Sequence, residues 1–190
     1  MTWGAGGSVS DRSNTNSLWL KNSPLGKYLA NSPTVYKCPE DNFLSVVQVA
    51  AGFKQRLRST SMNSVFGRFS RFSNVTWNWA LPQYAQYLKQ ASVPKPAKTW
   101  LMIDEHPDSI NDGYFINRGY DWVWIDLPAS YHNGAACFSF ADGHSETHRW
   151  SLPSTKAPAR PDGASLPFKL PRSEWKDYDW LLERTSVDRD

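Results

Sequence analysis

The chain has 190 residues and a formal net charge of +3, which fits one domain and gives no basis for binding a polyanion. Leu, Ile, Val and Phe make up about a fifth of it, near the level at which chains stay disordered. Its 10 tryptophans and 8 tyrosines offset that shortage, because each ring can bury about 150–250 Å² and a core built on aromatics becomes feasible.

Residues 1–16 are rich in Gly, Ser, Asn and Thr and read as a flexible segment. From Ser17 to Asn31, Leu18, Leu20, Leu25, Tyr28 and Leu29 suit a short helix interrupted near Pro24. Val35 to Cys38 reads as a strand, and residues 42–95 as irregular chain with one helix over Gln83–Gln90. Thr99 to Ile103 is a near-continuous apolar run and therefore a central strand. A further strand starts at Tyr114, after Asp112-Gly113.

Residues 135–150 read as a hairpin. Ala136, Phe138 and Phe140 share one face of its first strand, Asp142-Gly143 makes the turn, and the return strand ends at Trp150. Residues 151–190 read as a proline-rich extended tail ending in a short helix over Glu174–Arg184, with Trp175, Tyr178, Leu181 and Leu182 on one stripe. The globular unit is thus 17–150. Few helices, several short strands and no strand–helix alternation indicate α+β.

The stretch from His132 to His144 is the most distinctive: a histidine, nine residues, then Asp142-Gly143. It resembles the signature of the prepilin-type, processing-associated H-X9-DG family, relatives of type II secretion pseudopilins. Four other segments are similar to that family's motifs, in the same order. They are Cys38-Pro39-Glu-Asp41, Arg58-Ser-Thr-Ser-Met-Asn63, Pro96 to Asp104-Glu105, and Pro128-Ala-Ser-Tyr-His132.

The resemblance implies a pseudopilin-like head, a small antiparallel sheet packed on few helices with long irregular loops. It implies an extracytoplasmic setting and, as partners, other pilin-like subunits or secretion components. Family members open with a basic leader and a long apolar helix, whereas this chain opens Met1-Thr-Trp-Gly-Ala-Gly-Gly-Ser. No window approaches the roughly 20 apolar residues of a membrane span. A trimmed head, a displaced gene start and a relative without an anchor are all compatible with that opening.

Candidate sites follow from residue type and spacing. Asp104, Glu105, Asp108, Asn111 and Asp112 place five oxygen-bearing side chains directly after a rigid strand, the hard-ligand chemistry that calcium prefers. Pseudopilins as a class hold calcium in a loop, so the resemblance points to the same ion. His144, Glu146 and His148 alternate along a strand and form a second candidate metal set.

His132 and Asp142 stand at opposite ends of a strand and are expected to fix two separate turns, His132 by bonding backbone near the corner at Pro128–Gly134. Gly143, Cys38, Pro39 and Asp41 are read as structural parts of the motifs. Cys38 and Cys137 form no C-x-x-C pair, a spacing that argues against a cysteine-based zinc site. Buried thiols and a long-range disulfide both remain open for them.

Cys38 shows no neighbouring base in sequence, and no phosphate loop or nucleophile elbow is present. Arg68-Phe-Ser-Arg-Phe72 reads as a solvated basic loop and does not support nucleic-acid binding. The leading expectation is a non-enzymatic structural or interaction subunit of a pilus or type II secretion-like system. The alternatives are a carbohydrate-binding module stacking polysaccharide on Trp77, Trp79, Trp122 and Trp124, and a metal-dependent hydrolase using the His144 strand.

Overall fold

The apolar run before Asp104 becomes the middle strand of a five-stranded sheet. The computed structural model describes residues 16–44, 46–68, 81–119, 121–160 and 166–188. Its strands are β1 (Thr60–Asn63), β2 (Trp100–Asp104), β3 (Tyr114–Phe115), β4 (Val123–Trp124), β5 (Ala135–Phe140), β6 (Ser145–Arg149) and β7 (Phe168–Lys169). The main sheet runs β3-β1-β2-β5-β6, and β4 with β7 forms a separate two-stranded ribbon. Pairing is antiparallel except between β1 and β3, so the sheet is mixed rather than purely antiparallel. Among the described residues, three short α-helices accompany it: α1 (Leu18–Lys21), α2 (Val46–Ala50) and α3 (Trp175–Leu182). The architecture is α+β.

The core is aromatic, in keeping with the composition. Trp100, Phe115, Trp124, Phe138, Phe140 and Trp150 are all buried in one cluster with Ile103 and Leu127. Trp100 meets Phe115 edge-on at 5.7 Å between ring centroids, and Phe138 meets Trp150 edge-on at 6.0 Å. Such pairs add about 0.5–1.5 kcal/mol each beyond area burial. Two of the buried indoles find partners, Trp100 Nε1 donating to Thr185 Oγ1 and Trp150 Nε1 to the Ala129 carbonyl, whereas the Trp124 N–H has none among the described residues. A smaller cluster gathers Val65, Leu81, Tyr84, Tyr87 and Val93.

The segment after residue 150, read from sequence as an extended tail, belongs to this same core. Leu170, Tyr178 and Leu181 lie inside the main cluster. The Asp177 carboxylate accepts the backbone N–H groups of Ser151 and Leu152 at 2.9 Å, which ties the start of the segment to α3. Apolar spacing marks the helix; only packing shows that it closes the sheet's face.

Two local expectations are corrected. Val35 to Cys38 is no strand: Pro33–Tyr36 forms a 3₁₀ helix, with Pro33 in its first turn, where a fixed φ and a missing N–H cost nothing. Gln83–Gln90 is no helix either. Tyr84 and Tyr87 make isolated bridges to Asp188 and Phe66, and a 3₁₀ turn begins only at Gln90–Ser92. Burial of both tyrosine rings overrides the weak helical spacing. Among the described residues, no helix is long and apolar enough to cross a membrane.

Candidate functional site

Four of the motif segments meet at one end of the central strands. Asp104 ends β2 and stands opposite Thr60 of β1. The chain around Cys38 runs beside Ser59, whose N–H donates to the Tyr36 carbonyl at 2.9 Å. The Cys38 N–H in turn donates to Ser59 Oγ at 2.5 Å. On the other side, β5 pairs with β2 and brings Cys137 to Asp104, where the Cys137 N–H donates to Asp104 Oδ2 at 3.1 Å.

His132 is set by the turn that starts β5. Asn133 and Gly134 have φ of 54° and 82°, the two positive values that a type I′ turn needs. His132 N–H bonds the Ala135 carbonyl at 3.3 Å across that turn.

The result is a convergent trio. Cys38 Sγ lies 3.4 Å from His132 Nε2, and Asp104 Oδ2 lies 3.5 Å from the same nitrogen. All three ligand atoms fall within 4.8 Å of one another, the one such trio of His, Cys or acidic groups among the described residues. Cys38 and Asp104 are buried, while the His132 side chain is 32% exposed. Burial pushes the Cys38 thiol up, and the Asp104 charge adds to that. Burial also raises Asp104, against the Cys137 N–H and His132, which lower it. Both acids are therefore held toward their neutral forms.

The geometry is not that of a relay. In a nucleophile–base–orienter arrangement, the acid and the nucleophile engage opposite nitrogens of the imidazole. Here both address Nε2. The expectation that His132 bonds backbone with its side chain is corrected, since its partners are Cys38 and Asp104. Cysteine spacing weighed only a C-x-x-C pair, whereas the three side chains that meet here come from distant segments, to which local spacing is blind.

Directly behind the trio is a buried polar network. Glu105 is fully buried, accepting hydrogen bonds from the Ser61 hydroxyl and, at 3.0 Å, from Ser109 Oγ. Burial raises its pKa, and the nearby Arg58 guanidinium opposes that rise. Arg58 donates to the Thr60 carbonyl, Ser61 Oγ and the Asp112 carbonyl. Asp41 faces Arg56 at 3.9 Å, and Arg56 Nη1 donates to the Pro107 carbonyl at 2.9 Å. Pro39 is exposed in the turn before Asp41. Ser61, Asn63 and Ser109 are buried, which motif spacing did not reveal; Ser61 and Asn63 share one face of β1, and the Thr-Ser-Met-Asn sequence carries no polar alternation that would mark it.

The five oxygen-bearing residues from the end of β2 onward do not converge. Asp104 addresses Cys137 and His132, and Glu105 addresses Ser61 and Ser109. Asp108 Oδ2 accepts the Arg160 N–H at 2.8 Å, Asp112 Oδ1 accepts the Tyr114 N–H at 2.7 Å, and Asn111 is exposed. An ion in this loop would have to draw those side chains from their partners.

The His144, Glu146 and His148 set is likewise dispersed. His144 stacks on Phe140 and bonds Asp142 Oδ1 at 2.6 Å, while His148 stacks on Trp180 and Glu146 is exposed. Asp142 also accepts the His144 N–H at 3.1 Å, and Gly143 has a φ of 97°, so this pair makes the hairpin turn.

Exposed rings for stacking are not offered by the described tryptophans of that candidate set. Trp124 is fully buried against Tyr178, and Trp122 stacks on Trp175 at 3.8 Å. Trp77 and Trp79 lie outside the described residues. Both cysteines are free thiols. No family model, curated protein or solved structure matches the chain.

Proposed function

We infer that this chain is a non-enzymatic, extracytoplasmic, pilin-like subunit that works by assembly or interaction rather than by turnover. The observation that carries the reading is the convergence of the family-like segments. Cys38, Arg58, Asp104 and Glu105, all buried, meet the half-buried His132 although they are scattered over the sequence. Residues kept together in that way act as the frame of a fold.

Exposed apolar side chains support the interaction role. Trp19 is 57% exposed and Tyr28 75%, with Leu18, Leu25 and Val35 exposed in the same stretch. Large exposed apolar side chains grouped in one segment are a common mark of a contact surface. The occupant this reading assigns to them is a neighbouring pilin-like subunit.

The experiment is fractionation and crosslinking of the full protein in the cells that make it. Recovery in the cell envelope, with crosslinks from Trp19 or Tyr28 positions to pilin-like subunits, supports the reading. Recovery only in the cytosol overturns it. So does turnover of an ester, glycoside, peptide or phosphate substrate that is lost in a folded His132→Ala variant.

A further inference from the structure

The geometry points to a binding site for a zinc-class divalent cation at Cys38, Asp104 and His132. A tetrahedral ion with sulfur at about 2.3 Å and nitrogen or oxygen at about 2.0–2.2 Å separates its ligand atoms by about 3.3–3.6 Å. Two of the three separations already stand at that spacing, Sγ to Nε2 at 3.4 Å and Nε2 to Oδ2 at 3.5 Å, and the third is within 4.8 Å. Both neighbours aim at the same imidazole nitrogen, as they would around a shared centre.

The donor set selects the class of ion. Thiolate, imidazole and carboxylate together suit zinc and its neighbours, whereas calcium takes oxygen alone. The electrostatics agree with that choice. A thiolate here would sit beside the Asp104 carboxylate, whose charge, after burial, discourages that of Cys38. A dication supplies the missing counter-charge, and Cys38 releases its proton to solvent on binding. The exposed edge of His132 gives the ion a way in.

Support around the ligands is already built. Ser59 holds the Cys38 backbone, the Cys137 N–H holds Asp104 Oδ2, and the Asn133-Gly134 turn sets His132. The Cys137 thiol pairs with Thr147 Oγ1 at 3.4 Å and lies outside the trio. Bound metal would staple the chain before β1, the end of β2 and the start of β5 into one unit.

Cobalt(II), a spectroscopic substitute for zinc, tests the site on the full reduced chain. One equivalent should produce a thiolate-to-metal charge-transfer band and the intense visible bands of a four-coordinate ion, and zinc should bleach both. His132→Ala should weaken binding by more than about 100-fold, beyond the cost of losing a supporting group. Cys38→Ser should abolish the charge-transfer band, and His144→Ala should bind like the parent.

Zinc should also raise the melting temperature of the parent and leave that of His132→Ala unmoved. This second measurement stands even if Cys38→Ser fails to fold. Absence of the charge-transfer band in the folded parent, or equal affinity in His132→Ala, overturns the proposal.

Discussion

The His148 imidazole lies flat on the Trp180 indole, with ring centroids 3.5 Å apart and planes within 12°. This stack joins the outer strand of the sheet to the C-terminal helix. Trp180 also meets Phe138 at 5.3 Å and Trp150 at 5.8 Å, so one side chain of α3 reaches the first strand of the hairpin and the end of its second. The C-terminal segment is thus bound into the sheet and cannot be treated as an appendage.

Trp180→Ala should therefore destabilise the whole chain, by about 2–4 kcal/mol, because it leaves a gap among rigid rings. His148→Ala removes one partner of the stack and should cost about 1 kcal/mol. Urea unfolding followed by far-ultraviolet circular dichroism measures both. Loss of helix signal alone in Trp180→Ala, with the sheet transition unchanged, would show that α3 folds independently.

Gly143→Val should cost about 1–3 kcal/mol, through backbone strain alone. The glycine has a φ of 97°, and nothing lies within 4 Å of an added Cβ, so no clash contributes. Gly143→Asn should recover part of the loss, since asparagine tolerates positive φ better than a β-branched residue does. Equal melting temperatures for the valine and asparagine variants would refute a conformational cause.

Asp126 should make stability fall as pH rises. Burial, then the Glu105 charge, hold its carboxyl well above the ordinary value of 3.8. A raised folded pKa favours the protonated form, so the stabilising contribution is complete below 3.8 and is lost as pH climbs through the folded value. Asp126→Asn keeps an oxygen to accept the Ile116 N–H, bonded at 2.6 Å in the parent. Its stability should vary less with pH across that window. Parallel curves for the two proteins would count against a raised carboxyl.

Calcium should leave the melting temperature unchanged. Asp108 and Asp112 are committed to the Arg160 and Tyr114 amides. Replacing both with Ala should cost about 0.5–1.5 kcal/mol per lost hydrogen bond, with or without the ion. A calcium-dependent rise that disappears in the double variant would place the ion in this loop after all.

Much of the sheet was legible because its signals are local. The apolar run of β2 and the alternating phenylalanines of β5 each depend on side-chain period, and the Asp142-Gly143 turn on φ preference. The stretch at Gln83–Gln90 was not, because its tyrosines answer to bridges with Phe66 and Asp188. Those partners lie outside any local window.

The candidate site divides along the same line. Sequence alone singled out Cys38, Asp104 and His132, each for its own motif and each with a separate role. It also placed His132 at the Pro128–Gly134 corner, where the positive φ values of Asn133 and Gly134 set the turn. That the three share one point was decided only by tertiary structure, since Cys38 and His132 are 94 positions apart. Bringing them to 3.4 Å requires β1 to pair with β2, β2 with β5, and the Cys38 segment to lie along Ser59. Coordination chemistry depends on distance in space, and chain separation carries no trace of it until the strands have found their neighbours.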